Sequence, residues 1–248
     1  MRRRKMALVV AGAAAAVTVG ALARRWIWYG TKTSTPPDED AIFTAFAPGG
    51  PASFFVNGPV GRVMAKLMPI VERGVYRTVA EMLDVQPDDE LLDIGCGPGA
   101  FLATKARDVQ RVVGLDPSPV MLHEAERRLA DRIAAGTAEL VSGNAAALPF
   151  GDSEFSAATA IFAPAKPSEV FRVLRPGGRF VMADPDPRMS ASEPGIGWGV
   201  PRHGEADYRR MLDDAGFTDV TVRFVGSALL IAGCKPPASV RNGSIQTD

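Results

Sequence analysis

The stretch "LLDIGCGPGAF", residues 91–101, holds the residues whose types and spacing most clearly suggest chemistry. Three apolar residues and an aspartate lead into Gly95, Gly97 and Gly99. Glycine has no Cβ, so it accepts positive φ and lets a ligand approach the backbone closely. Because a glycine-rich loop at the end of a buried strand commonly cradles part of a nucleotide, this stretch predicts a nucleotide site.

The neighbouring stretches decide which nucleotide the loop would hold. Gly95, Gly97 and Ala100 satisfy G-x-G-x-x-[GA], a pattern that is weak by itself and compatible with a dinucleotide. The stretches "GLDPS", "GNAAALPFGDSEFS", "VLRPGGRFV" and "AGF" follow it in order. Over residues 76–232 the chain resembles the class I S-adenosylmethionine-dependent methyltransferases, and within them the small-molecule and quinone or lipid methyltransferases. The resemblance implies methyl transfer from S-adenosyl-L-methionine to a small acceptor, and the membrane anchor predicted below favours a lipophilic one. An NAD(P)-dependent oxidoreductase with a Rossmann fold is the alternative.

The resemblance also implies which residues contact the cofactor. Asp93 would help to hold the amino end of the cofactor, partly through water, or would only fix the loop. Asp116 is placed to accept both ribose hydroxyls, since a carboxylate has two acceptor oxygens; a plain helix N-cap is its alternative role. Asn144 stands where the family usually has aspartate and can still meet the adenine edge, with Ala145 on the ring. The predicted cofactor-binding residues are therefore Asp93, Gly95, Gly97, Gly99, Asp116, Asn144 and Ala145.

The sequence assigns no firm catalytic residue. Displacement at a sulfonium needs no protein nucleophile, and it needs a base only if the acceptor must lose a proton. His203 is a weak candidate base, and a solvated loop histidine explains it better. Asp184 and Asp186 can orient an acceptor, but turn formation beside prolines explains them equally well. The segment "FAPAKPSEV" after the fourth predicted strand is short and lacks histidine. It therefore keeps open a catalytically silent, membrane-tethered cofactor-binding protein.

Composition excludes several other classes of protein. Lys+Arg and Asp+Glu both total 28, and this zero net charge argues against a nucleic-acid partner. Two cysteines and two histidines provide neither a metal-ligand cluster nor a disulfide framework. We therefore expect no metal, and no oligomeric state is predicted.

The amino terminus differs from the rest of the chain. Residues 2–5 are basic, and residues 6–23 carry no charge over 18 positions. A helix of that length spans roughly 27 Å, close to the hydrocarbon thickness of a bilayer. Trp26, Trp28 and Tyr29 suit a membrane interface. These features predict a single-pass membrane anchor, with a cleavable signal peptide as the alternative.

Two opposed arguments bear on which side of the membrane the catalytic domain occupies. The basic residues 2–5 outnumber those after the apolar run, which by the positive-inside rule favours a body outside. The family's cofactor is kept in the cytoplasm, and an enzyme that never meets its cofactor would be inert. We therefore expect a cytoplasmic catalytic domain.

From residue 89 onward, short apolar runs alternate with amphipathic stretches, which is typical of βαβ units. The chain is thus expected to form an α/β, doubly wound, Rossmann-like sheet of seven strands. It would be mostly parallel, with an antiparallel C-terminal hairpin turning at Gly226-Ser227. The predicted organisation is an anchor (1–30), a linker (31–41), accessory helices as a candidate substrate lid (42–84), a methyltransferase domain (85–234) and a disordered tail (235–248).

Overall fold

The computed structural model describes residue 43 and residues 49–50, 53–186, 188 and 203–238. The predicted anchor (1–30), the whole of the predicted linker (31–41) and residues 239–248 lie outside these. Phe46, within the candidate substrate lid (42–84), also lies outside them. Within the described residues, no helix is long and apolar enough to cross a bilayer.

Seven strands of the described residues form one mixed sheet, as predicted. In chain order they are β1 (Glu90–Ile94), β2 (Arg111–Asp116), β3 (Ala138–Ser142), β4 (Phe155–Ile161), β5 (Leu174–Pro185), β6 (Thr218–Val225) and β7 (Ala228–Cys234). The order across the sheet is β3-β2-β1-β4-β5-β7-β6, with the first five strands parallel. β7 is antiparallel to both of its neighbours, β5 and β6. The carboxyl ends of β1 to β4 therefore meet at one edge, where α/β proteins bind ligands.

Helices cover both faces of this sheet. They are α1 (Ser53–Val56), α2 (Gly58–Val71), α3 (Arg73–Leu83), α4 (Ala100–Thr104), α5 (Pro119–Ala134), α6 (Pro167–Val173) and α7 (Glu205–Ala215). One apolar core joins α3, α4 and α5 to the sheet, and the other joins α6 and α7 to its opposite face. This two-sided covering is the doubly wound arrangement that the alternating pattern predicts.

Two helix ends differ from the sequence-based expectation. Pro69 predicts a break in the accessory helical stretch, but α2 continues past it to Val71 and the break lies at Glu72. The sequence after the glycine loop predicts a helix over residues 100–108, but the helix ends at Thr104. In place of a further helical turn, the carbonyls of residues 106, 107 and 109 accept hydrogen bonds from Arg132 of α5. This pairing across 23 to 26 residues has no local sequence signal.

The start of α5 shows how the sequence positions the end of β2. The Ser118 hydroxyl caps the helix by accepting a hydrogen bond from the Met121 backbone N–H at 3.2 Å. Pro119 follows in the first turn, where a missing N–H is tolerated. Met121, Ala125 and Leu129 are buried as the apolar spacing predicts, whereas Ile133, at the end of that stripe, is 38% exposed.

Candidate cofactor pocket

A pocket opens at the carboxyl ends of β1 to β4, beneath the accessory helices. Its walls combine the glycine loop, the ends of β2, β3 and β4, and side chains from the amino-terminal part of the described chain. The lining residues are Phe43, Val56, Met64, Glu72, Gly95, Gly97, Leu115, Asp116, Pro117, Met121, Gly143, Asn144, Ala145, Ile161, Phe162, Ala163 and Pro164. Five of the seven predicted cofactor-binding residues are among them: Gly95, Gly97, Asp116, Asn144 and Ala145.

The glycine loop presents bare backbone to this pocket. Gly97 has φ +52°, and a Cβ added there would meet nothing within 4 Å, so its position faces open space. Gly95 has φ +67°, and an added Cβ would lie 2.2 Å from the Ala163 Cβ. Gly99, also at positive φ, is the residue that precedes α4. A side chain at Gly95 or Gly97 would need a strained backbone, and at Gly95 it would also collide with Ala163, which follows β4.

Asp116, the last residue of β2, is hydrogen-bonded to the glycine loop. Its two carboxylate oxygens accept hydrogen bonds from the Gly97 backbone N–H at 2.9 Å and the Ser118 backbone N–H at 2.8 Å. Since Ser118 is the N-cap of α5, Asp116 does not serve as that cap. Asp116 is 7% exposed, and burial raises its pKa to about 6, opposed by those two backbone hydrogen bonds. Each oxygen keeps a further lone pair that can accept from a ligand hydroxyl.

Asn144 and Ala145 form the pocket wall beyond β3. The Asn144 side-chain oxygen accepts a hydrogen bond from the Ala146 backbone N–H at 2.9 Å, which closes a local turn. Its amide N–H₂ remains available to donate to a ligand. Asn144 is solvent-exposed, so it lies at the mouth of the pocket rather than in its interior.

Asp93 is buried, with 2% of its surface exposed, and is not among the residues that line the pocket. It pairs in register with Gly114 of β2 and Thr159 of β4, so it lies near the end of the central strand. Among the residues that the structure describes, none donates a hydrogen bond to its carboxylate. Burial raises its pKa well above the usual range, and the nearby carboxylates of Asp116 and Glu72 raise it further. No hydrogen bond within the described part of the chain supports the alternative that Asp93 only fixes the loop.

Glu72 is a pocket residue that sequence reasoning missed. It precedes α3, is 4% exposed, and lines the pocket. The Tyr76 hydroxyl, one helical turn later, donates a hydrogen bond to the Glu72 carboxylate. Burial raises the pKa of Glu72 to about 7, partly offset by that hydrogen bond. The available signal was a glutamate four residues before a tyrosine at a break between two apolar helical stretches.

The weak catalytic candidates form a separate cluster at the end of β5. The Tyr208 hydroxyl donates to the Asp184 carboxylate, and the His203 ring packs edge-on against Tyr208 with centroids 5.4 Å apart. Burial raises the pKa of Asp184 to about 7. Asp186 instead accepts from the Arg188 backbone N–H at 2.8 Å, as expected for a turn residue. The structure thus brings His203 and Asp184 together, but neither lines the pocket.

Within the described residues, no group of three or more histidine, cysteine or acidic side chains is arranged to hold a metal ion. The groups that the pocket presents to a ligand are the glycine backbone of the loop, the Asn144 amide, and the buried carboxylates of Glu72 and Asp116.

Comparison with known proteins relates the central part of the chain to a known family. Residues 91–178, from the glycine loop to the start of β5, match the family described as "Methyltransferase domain". The described domain is a class I S-adenosylmethionine-dependent methyltransferase domain. The matched range contains all seven predicted cofactor-binding residues of this methyltransferase domain, whereas Glu72 precedes it.

Curated relatives of the methyltransferase domain act on different acceptors. A demethylmenaquinone methyltransferase from Symbiobacterium thermophilum is 35% identical over 116 residues, 43% of this chain and 46% of that protein. Erythromycin 3''-O-methyltransferase from Saccharopolyspora erythraea is 29% identical over 173 residues, 59% of this chain and 56% of that protein. The matches thus span about half the length of these relatives.

Solved structures share the fold. Geranyl diphosphate C-methyltransferase from Streptomyces coelicolor A3(2), determined with S-adenosyl-L-homocysteine bound, superposes with a TM-score of 0.55 at 20% identity. The superposition covers 66% of this chain and 76% of that chain. It supports the Rossmann-like architecture described above.

Proposed function

We propose that this chain binds S-adenosyl-L-methionine in the pocket and transfers its methyl group to a small, lipophilic acceptor. The observation that carries the proposal is the pairing of the bare Gly97 backbone with the Asp116 carboxylate in a domain of the methyltransferase family. The residues present fit this cofactor: its ribose diol needs two acceptors, and its methionine part needs a loop without side chains.

The order of the strands suggests how the cofactor would lie. Asn144 and Ala145 follow β3, Asp116 ends β2, and the glycine loop follows β1, and these three strands are neighbours. Adenine, ribose and methionine would then extend across the edge in that order. When bound, the cofactor supplies a sulfonium methyl group for in-line displacement, and the chain contributes positioning and exclusion of water.

The acceptor is proposed to enter beside the accessory helices. Phe43, Met64 and Phe162 line that side of the pocket and make it apolar. Phe162 follows β4 with φ +53°, a left-handed conformation that is rare for an aromatic residue and recurs at ligand sites. Such a surface suits a quinone, polyketide or isoprenoid skeleton better than a charged acceptor.

We further propose that residues 6–23 anchor the chain in a membrane and that the catalytic domain is cytoplasmic. Val63, Leu67 and Ile70 of α2 are 56%, 47% and 62% exposed. Their spacing places them along one face of the helix that supplies Met64 to the pocket. An exposed apolar face beside the pocket is consistent with an acceptor taken from a lipid surface.

Calorimetric titration of a chain beginning at Asp40 with S-adenosyl-L-methionine and, separately, with NAD tests the cofactor. We expect saturable binding of the first and none of the second. Binding of NAD alone would replace the methyltransferase proposal with the oxidoreductase alternative.

Turnover is tested with a labelled cofactor methyl group and a panel of demethylated quinone, polyketide and isoprenoid acceptors. Cofactor binding without methyl transfer to any of them would favour the catalytically silent alternative.

A further inference from the structure

Two buried carboxylates, Glu72 in the pocket lining and Asp93 on β1 just before the glycine loop, have no cationic partner in the described part of the chain. Glu72 is 4% exposed and Asp93 is 2% exposed. Neither forms an ion pair with a described lysine, arginine or histidine, and Asp93 also accepts no hydrogen bond there. Buried carboxylates are normally paired, because an isolated buried charge is strongly unfavourable. This pair is therefore suited to a cation that the ligand brings.

The two carboxylates lie at the methionine end of the proposed cofactor site. Asp93 is on β1, directly before the glycine loop, and the negative charge of Glu72 acts on it. Tyr76, which binds Glu72, packs its ring edge-on against Phe101 of α4, with centroids 5.9 Å apart. Glu72 thus approaches the pocket from the β1 side, whereas Asn144 lies two strands away, beyond β3.

The local cation is already engaged elsewhere. Arg128 lies close enough to lower the pKa of Tyr76, but its guanidinium donates to the Pro98 carbonyl at 2.9 Å and the Ala65 carbonyl at 3.1 Å. The Glu72 side chain is oriented by the Tyr76 hydroxyl, a neutral donor that leaves the carboxylate charge uncompensated. The Glu72 carboxylate is thus held by a neutral donor, and its negative charge is available to a cationic ligand.

We propose that Glu72, acting with Asp93, binds the α-ammonium group of S-adenosyl-L-methionine and so positions the methionine end of the cofactor. The inference rests on the proposed function and extends it to a residue outside the matched family range. An ammonium group has three N–H donors and one positive charge, so it can satisfy both carboxylates at once. Tyr76 is then a positioning residue, which holds Glu72 in the direction of the ligand.

Three ligands that differ at the methionine end test this proposal by calorimetry. S-adenosyl-L-methionine and S-adenosyl-L-homocysteine both carry the α-ammonium group, and 5'-methylthioadenosine lacks it. In Glu72→Gln, affinity for the first two should fall by roughly tenfold, while affinity for 5'-methylthioadenosine changes less than about twofold. Glu81→Gln, an exposed glutamate on the same helix, is the matched control and should change none of the three affinities.

A second variant and a stability measurement guard against a merely structural effect. Tyr76→Phe keeps the ring but releases the carboxylate, and it should produce a smaller loss confined to the two ammonium-bearing ligands. Without ligand at pH 8, Glu72→Gln should melt at a higher temperature than the wild type, because it removes an uncompensated buried charge. A structural residue would show the opposite shift.

The outcomes separate this inference from the proposed function. Wild-type protein that fails to bind S-adenosyl-L-homocysteine would overturn both. Wild-type binding with unchanged affinity in Glu72→Gln would overturn only the role of Glu72. An equal loss for 5'-methylthioadenosine would also overturn it, since that ligand has no ammonium group to lose. A loss confined to S-adenosyl-L-methionine would place Glu72 at the sulfonium and not at the ammonium.

Discussion

Asp116 both fixes the glycine loop and lines the pocket, so its substitution tests the proposed contact with the cofactor. Its carboxylate holds the Gly97 backbone N–H and faces the pocket. We expect Asp116→Ala to weaken S-adenosyl-L-methionine binding by about 1.5–3 kcal/mol, tenfold or more, because charged hydrogen bonds to the ribose are lost. Calorimetry measures this, with the exposed Asp213→Ala as control. Equal affinity in the Asp116 variant and the wild type would mean that the ribose is held elsewhere.

The buried carboxylates also predict how the ligand-free domain responds to pH. Burial raises the pKa of Glu72 from 4.5 to about 7 and that of Asp116 from 3.8 to about 6. A carboxyl group whose pKa is raised in the folded state favours folding while it is protonated. The stability that Glu72 contributes below pH 4.5 is therefore lost as the pH rises through 7, and the stability that Asp116 contributes below pH 3.8 is lost as the pH rises through 6. Burial also raises the pKa of Asp93, which acts in the same direction, while the hydrogen bond from Tyr76 partly lowers the pKa of Glu72.

Glu72→Gln should therefore stabilise the ligand-free protein at pH 8, by an amount on the order of 2–3 kcal/mol at most, and change little at pH 4.5. Urea unfolding at the two pH values measures the difference. A variant that is less stable than the wild type at pH 8 would show that the carboxylate is compensated in the folded state.

At the scale of elements, one arginine of α5 connects the accessory helices to the glycine loop. Arg128 donates to Ala65 of α2 and to Pro98 of the loop. Arg128→Met should leave both carbonyls without that donor, destabilise the domain by about 1–3 kcal/mol, and speed hydrogen exchange in α2. The neighbouring exposed Arg127→Met is the control. Unchanged exchange in α2 would show that the Ser118 hydroxyl, which donates to the Val56 carbonyl at 2.6 Å, holds these helices alone.

At the scale of the whole molecule, membrane attachment should be separable from cofactor binding. Full-length protein should sediment with membranes through salt and alkaline washes, because an apolar run of 18 residues is long enough to span a bilayer. A chain starting at Asp40 should stay in the supernatant with the same cofactor affinity. An amino terminus near Arg24 in the purified protein would replace the anchor with a cleaved signal. Protease digestion of the body in intact spheroplasts would contradict the cytoplasmic placement.

Local patterns in the sequence determined most of the fold and part of the site. Strand β1 occupies the predicted residues, and the hairpin turn lies at Gly226-Ser227, because apolar runs and turn residues act over a few neighbours. Gly97 and Asp116, predicted from the glycine loop and the family resemblance, both line the pocket, because strand ends in a parallel sheet meet at one edge. The roles of all seven predicted residues in cofactor binding remain predictions.

Tertiary structure alone decided the end of α4 and the inclusion of Glu72 in the pocket. The first depends on Arg132 of α5 reaching carbonyls more than 20 residues away, and the second on α3 packing against the face of the sheet. The pattern of apolar residues predicts which face of a helix or strand is buried. It does not predict that a polar residue at the start of a helix, such as Glu72, lies in the same pocket as the glycine loop. Burial of both Glu72 and Asp93 then raises their pKa values, an effect that exists only once the chain has excluded water from both side chains.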